Sequence, residues 1–361
     1  MTTDCCTIAI SHGAASADGR IYILKNRDSI PLVSGLELPF VEKAEHDGHG
    51  AILSVTLLGD YGCPGGMNEA GLAAVCSYVF PGRIGITGVP PRGMIKKVLK
   101  ECSSVEEAVA LIENTKRRFG SNFLLADATG RAAIVEFKPS AVETIEIRDT
   151  AAGRANHFIS LKPDLNITTN ASLIRYRRIA ELLDENDGGI CLETMFRFAR
   201  DRERGNTLDS IDNPATEFST VIAPDAEFPR SLSVIWAAVG RPAATPFLPV
   251  YIGGKAPAEY TDGSAWKRSR KTAASKRAPG PLEALEKAVL KESAEVERRA
   301  RKLLRDGKKN EGDALLTSFT EKCKNGYLDA IGERTSRAPG HAEIVRDSLA
   351  AGLSRIVTGI F

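Results

Sequence analysis

Residues 1–29 read MTTDCCTIAISHGAASADGRIYILKNRDS, and two features of this stretch decide the fold. Apolar runs at Thr7 to Ser11 and Ile21 to Leu24 flank a turn signal, Ala17-Asp18-Gly19-Arg20, which predicts a β-hairpin. Ile21 to Leu24 is continuously apolar instead of alternating, the pattern of a strand covered on both faces, so the hairpin belongs to a layered sheet. Pairing of the two strands returns Lys25-Asn26-Arg27-Asp28 to the start of the first, where Cys5 and Cys6 stand. A thiol, two cations and a carboxylate then meet.

Such neighbours are what a cysteine nucleophile needs, because nearby positive charge favours thiolate and a placed carboxylate orients an amine or substrate group. A buried cysteine beside a surface turn is the plainer alternative. From the hairpin alone, Cys5 and Cys6 are ordinary buried thiols, a redox or metal pair, or a nucleophile to be uncovered at a new N-terminus.

The chain has 361 residues, 43% of them hydrophobic and 26% charged, enough for one large domain or two ordinary ones. Lys and Arg number 48 against 46 Asp and Glu, a net charge of +2 that argues against a nucleic-acid or acidic-membrane partner. No run approaches the roughly 20 apolar residues of a membrane span, and MTTDCC lacks the basic and apolar regions of a signal peptide, so the expectation is a cytoplasmic protein. Seven cysteines at positions 5, 6, 63, 76, 102, 191 and 323 fit reduced thiols better than a disulfide framework.

Strand patterns continue in AILSVTLLGDYG and GLAAVCSYVF. Two helices are predicted within MIKKVLKECSSVEEAVALIENTKRRFG, the second opened by a capping box at Ser103-x-x-Glu106. SNFLLADATGRAAIVEF reads as a hairpin turning at Ala128-Thr129-Gly130, followed by strands at VETIEI and RANHFIS. ASLIRYRRIAELLDEN and LETMFRFARDRE read as helices, and EFSTVIAPDAEFPRSLSVIWAAVG as two strands joined across Pro224 to Pro229. Residues 256–281 are polar, basic and punctuated by Pro and Gly, which predicts a linker, with the run Lys267 to Lys276 a solvated loop. Residues 282–361 read as a helical extension.

The ordered series CT, KNRD, GGMNEAGLAAV, NFLLADATGRAAIVEF, ANHF and ASLIRYRRIAELL resembles the N-terminal-nucleophile (Ntn) cysteine hydrolases of the choloylglycine hydrolase and penicillin V acylase type. It is most similar to their isopenicillin-N acyltransferase-like, self-processing branch, over roughly residues 5 to 255. The resemblance implies an α+β, four-layer αββα sandwich over 6–255, a propeptide of residues 1–5 removed between Cys5 and Cys6, and an enzyme acting on linear amides without cofactor or metal. A free α-amine has a pKa of about 7.7–8.0, so it can take the thiol proton near working pH, whereas a Lys or Asp base would need a large shift.

Carried onto this chain, the resemblance makes Cys6 the nucleophile, Asp28 the carboxylate at its amine, Asn156 an oxyanion donor and Arg175 the arginine of the Ser-x-x-Arg helix that begins at Ser172. Asn68 falls at a position lining the oxyanion pocket, and Lys25 stands where arginine is usual. Tyr61, Tyr78 and Phe80 are expected to shape a substrate pocket, and His157 to serve structure. His46-Asp47-Gly48-His49 supplies too few ligands for a metal.

The partner is then a small-molecule amide. Two rivals stand beside this reading: an Ntn dipeptidase, prompted by WAAVGRPAATPFLPVYIGG, and a non-catalytic protein of the same fold using residues 282–361 for contacts between copies.

Overall fold

The computed structural model describes residues 5–29, 37–46, 50–165, 168–274 and 282–330. Residues 1–4 of the expected propeptide, the side chain of Cys5, most of the His46–His49 loop and the last part of the helical extension lie outside the described set.

In chain order the elements begin with β1 (Cys5–Gly13), β2 (Gly19–Asp28), β3 (Pro39–His46), β4 (Gly50–Leu57), β5 (Gly65–Asn68) and β6 (Ala73–Val79). Helices α1 (Pro91–Glu101) and α2 (Val105–Asn114) follow, then β7 (Gly120–Ala126), β8 (Ala132–Lys138), β9 (Ala141–Ile147) and β10 (Ala151–Arg154). Next come α3 (Asn170–Glu185), α4 (Leu192–Ala199), β11 (Thr216–Ala223), α5 (Pro229–Leu232), β12 (Val234–Ala238) and β13 (Leu248–Tyr251). The described chain ends with α6 (Ala258–Thr261), α7 (Ser264–Ala274), α8 (Leu282–Arg305) and α9 (Lys309–Ala330).

These strands form two antiparallel sheets, ordered β10-β1-β2-β11-β12-β13 and β3-β4-β5-β6-β7-β8-β9. The sheets face each other, β1 against β6 and β7 and β12 against β4; α1 and α2 cover the outer face of the second sheet, and α3 and α4 that of the first. This is the four-layer αββα sandwich that the family resemblance implied. Its two cores follow from the layering. Ile8, Ile10, Ile23, Val75 and Leu124 belong to the larger cluster, and Ile95, Leu99, Phe123 and Phe137 to the one beneath α1 and α2.

The β1–β2 hairpin forms in the expected place, with Cys6 opposite Arg27, Thr7 opposite Asn26 and Ile8 opposite Lys25. Side chains alternate across a strand. Cys6, Ile8, Lys25 and Arg27 therefore point between the sheets, while Thr7, Asn26 and Asp28 point toward the helices of the outer layer. The four polar side chains that close β2 are each no more than 1% exposed. A buried polar group left unpaired costs about 1–3 kcal/mol, so every one of them has to be provided with partners.

Three local expectations are corrected. The capping box of α2 sits one residue later: Ser104 Oγ accepts from Glu107 N, and Glu107 Oε2 accepts from Ser103 N, because the helix starts at Val105. The strand read at RANHFIS ends at Arg154, and Asn156 and His157 lie in the turn beyond it. Part of the expected linker is helix: in α7, Trp266 is buried and its Nε1 donates to Glu217 Oε2 at 2.9 Å, which anchors an otherwise basic segment on β11.

Arg175 owes its position to Gly153. A Cβ there would stand 2.7 Å from Ile179 Cγ2, so glycine lets the Ile179 side chain of α3 seat directly on the edge strand β10. Thr169 caps α3 by accepting from Ser172 N, and Ser172 and Arg175, three residues apart, share its buried face.

Candidate active site

Cys6 stands one residue into the hairpin and is held at both backbone groups. Its N–H donates to Asn156 Oδ1 at 3.0 Å, and its carbonyl accepts from Arg175 Nη1 at 2.8 Å. Its sulfur accepts from Lys25 Nζ at 3.2 Å, and the same ammonium donates to Cys76 O at 2.5 Å across the gap between the sheets. The thiol is 2% exposed and Lys25 1%.

Arg175 joins the groups around this residue. Nη1 also donates to Thr7 Oγ1 at 3.1 Å and lies 3.8 Å from Asp28 Oδ2, while Nη2 donates to Asn156 Oδ1 at 2.9 Å. Asn156 is oriented by its surroundings: Oδ1 must face the two donors, Cys6 N and Arg175, and Nδ2 donates to Tyr78 O at 2.9 Å. Its backbone N–H donates to Ser172 Oγ at 2.8 Å, and that hydroxyl lies 2.7 Å from His157 Nδ1. Since Ser172 accepts from Asn156, its own hydrogen is available to the imidazole, which fits a neutral ring protonated on Nε2. Burial lowers the His157 pKa, and Arg154 and Arg175 act the same way against the opposing Glu136.

Asp28 lies on the other face of β2, where Thr216 Oγ1 and Asn213 Nδ2 donate to it at 2.7 and 2.8 Å. Burial pushes this carboxyl up from its ordinary range, while Arg175 and the two hydrogen bonds favour the ionised form. It reaches the cluster through Arg175, while the Cys6 N–H, here in its peptide bond to Cys5, donates to Asn156 Oδ1.

The structure thus brings Cys6, Lys25, Asp28, Asn156 and Arg175 together, and it does not bring Asn68 to them. Asn68 Nδ2 donates to Leu99 O and Cys102 O, and its Oδ1 accepts from Ala70 N and Leu72 N. Neighbouring Met67 points into the core between the sheets, so the pleat turns Asn68 to the helix side, where it ties the end of α1 to the β5–β6 turn. Tyr78 contributes its carbonyl; its ring meets Phe119 edge-on. Tyr61 is 67% exposed, in the loop after β4 that runs against the start of α1, outside the buried cluster.

Thr216 and Asn213 were not legible beforehand, since they stand nearly two hundred residues from Asp28. Arg27 was legible in outline: the hairpin register places it opposite Cys6, and its Nη2 donates to Glu37 Oε1 at 2.8 Å.

Residues 15–243 match the family model described as AAT, acyl-coenzyme A:6-aminopenicillanic acid acyl-transferase. That range includes Lys25, Asp28, Asn156 and Arg175 and starts just beyond Cys6. No curated protein matches the chain by sequence. Among solved structures it is similar to a Caenorhabditis elegans N-acylethanolamine-hydrolyzing acid amidase ortholog, at 14% identity over 62% of this chain and 97% of that one, with a TM-score of 0.47. A mutant of the conjugated bile acid hydrolase from Clostridium perfringens matches at 16% identity over 64% and 88%, TM-score 0.42. Penicillin V acylase from Agrobacterium tumefaciens matches at 17% identity over 68% and 86%, TM-score 0.43.

Proposed function

Since the chain belongs to the acyl-coenzyme A:6-aminopenicillanic acid acyl-transferase family, we propose that it is a self-processing cysteine amidohydrolase or acyltransferase in which Cys6 is the nucleophile. The observation that carries this reading is the bracket around Cys6. Part-buried Asn156 takes its nitrogen, and buried Arg175 and Lys25 take its carbonyl and its sulfur. A structural thiol needs none of these partners, whereas a nucleophile needs all of its reacting atoms fixed.

In the first step Cys6 Sγ attacks the Cys5 carbonyl carbon. The C–N bond to Cys6 breaks, leaving a free α-amine and a thioester, and water opens the thioester to release residues 1–5 with the Cys5 carboxylate. In turnover the α-amine, held at Asn156 Oδ1, takes the thiol proton as sulfur adds to the carbonyl of a small linear amide. It then returns that proton to the leaving amine. The acyl group remains on Cys6 as a thioester until water or an amine accepts it.

Lys25 replaces the family's usual arginine with a compact charge carrying three N–H donors. Two of them are spent on the sulfur and on Cys76 O. The ammonium therefore sits where negative charge forms as the thiol gives up its proton, and a cation there favours the thiolate. Asn156 and a backbone N–H complete the oxyanion site, and Arg175 and Asp28 fix the geometry.

Intact mass spectrometry of the purified protein beside Cys6→Ala tests this reading. Loss of residues 1–5 in the wild type alone supports it; a wild-type chain of full length under the same conditions refutes the free-amine mechanism.

A further inference from the structure

The face of β2 that carries Lys25 to the thiol carries a second cation. Arg27 is the direct cross-strand partner of Cys6, and such pairs place their Cβ atoms about 4.5–5.5 Å apart. Its side chain is 1% exposed, and it is paired with Glu37, whose side chain is 24% exposed. Nη2 donates to Glu37 Oε1 at 2.8 Å, and Nη1 makes a close ion pair with Oε2, so one hydrogen bond and one ionic contact hold the carboxylate on the guanidinium. The cation is therefore the inner member and the carboxylate the outer, solvent-touched one.

As a stabilising device this pair is a poor choice. A buried ion pair recovers in attraction about what it loses in hydration, and well-packed apolar side chains of similar volume serve at least as well. As a recognition device it is apt. Arginine presents a rigid planar fork matched to a carboxylate, and an incoming carboxylate that displaces Glu37 replaces like with like, with no further dehydration of the guanidinium. Lys25, two residues earlier on the same face, adds a second positive charge beside the reacting sulfur.

We propose that Arg27, seconded by Lys25, is a carboxylate-recognition site of the substrate pocket, and that Glu37 occupies it as an internal stand-in. The amide substrates are then acylated amino acids or similar compounds with a carboxylate close to the scissile bond. The statement about substrates rests on the proposed amide chemistry at Cys6; the anion site itself does not.

The test uses two thiol reagents of nearly equal size, iodoacetate and iodoacetamide. Each alkylates Cys6 by forming an S–C bond with loss of iodide, and they differ in carrying a carboxylate or a neutral amide. The ratio of their rates at Cys6, read by peptide mass spectrometry on the full chain, cancels any general change in thiol reactivity. It is expected to exceed the ratio at the same cysteine in the denatured chain. Arg27→Met is expected to lower it about tenfold, the size of one charge-assisted hydrogen bond, and Arg27→Lys to restore part of it. Glu37→Gln, which removes the stand-in and keeps the fold's volume, is expected to raise it. A wild-type ratio equal to the denatured one overturns the proposal, as does a ratio unmoved in Glu37→Gln should Arg27→Met fail to fold. Self-cleavage is read in the same spectra, so a failure of the anion site and a failure of the nucleophile reading are told apart.

Discussion

Arg175 and Cys6 stand 169 residues apart in the chain, and the guanidinium of the first donates to the backbone carbonyl of the second at 2.8 Å. One arginine on the outer helix layer thereby fixes the second residue of β1, whose side chain faces the opposite direction. The same guanidinium holds Asn156 and lies beside Asp28, so backbone, amide and carboxylate are set by one rigid fork.

Replacing Arg175 is expected to be severe for this reason. Arg175→Met leaves Asn156 Oδ1 short of a donor and Asp28 without its cation. Removal of one partner from a buried pair costs about 3–5 kcal/mol. Arg175→Lys keeps the charge and loses the fork, so it should recover part of the stability and little of the self-cleavage. Thermal melting and intact mass, measured on the same preparations, separate these effects.

Asn156→Asp and Asn156→Ala are expected to divide the two ends of this amide. Aspartate keeps an acceptor for Cys6 N and Arg175 but sets a carboxylate oxygen against Tyr78 O, where a donor stood at 2.9 Å. Alanine removes both ends. Loss of a single oxyanion donor costs about 10²–10³ in kcat, so both variants should fall by at least that much, with aspartate retaining more of the native melting temperature. Equal activity in aspartate and wild type would remove the Nδ2 end from the chemistry.

Much of this site was legible in the hairpin, and the reason is geometric. Once Thr7 to Ser11 and Ile21 to Leu24 are strands joined by a tight turn, period-two alternation fixes which KNRD residues share a face with Cys6. What lies across the molecule was not legible. Thr216 and Asn213 reach Asp28 from the start of β11, and their contact depends on how far one strand slides past another, which no local pattern records. Asn68 misled for a related reason: it closes β5, where a one-residue difference in pleat sends an asparagine to the pocket or to the helix layer. The helix at α7 was hidden by its composition, since only a short buried face, Ala265, Trp266 and Ser269, docks an otherwise basic segment.

Asn68→Ala should therefore act on stability and leave catalysis intact. Its side chain serves two carbonyls at the end of α1 and two amides in the β5–β6 turn, all deprived of partners by the substitution. The expected cost is about 3 kcal/mol, read as a lowered urea midpoint with an unchanged slope. The fraction of protein still folded should self-cleave at the wild-type rate. A slowed cleavage in that fraction would return Asn68 to the active site.

His157 gives the fold a pH dependence whose direction can be worked out. Burial holds its pKa below the ordinary value of 6.5, so the folded state favours the neutral ring while the unfolded chain titrates normally. Above 6.5 both states are neutral and the contribution to stability is fully present. As pH falls through the interval down to the lowered folded value, the unfolded chain binds the proton first, and stability declines until both states are charged. His157→Gln cannot titrate and should flatten this part of the profile. Urea midpoints taken from about pH 7.5 to pH 5 on both proteins check it. The imidazole touches Ser172, which holds the backbone of Asn156, so protonation also loosens the residue that takes the Cys6 nitrogen. Self-cleavage in the wild type should therefore fall over the same acid interval more steeply than in His157→Gln. Superimposable cleavage profiles for the two proteins would confine His157 to a purely structural role.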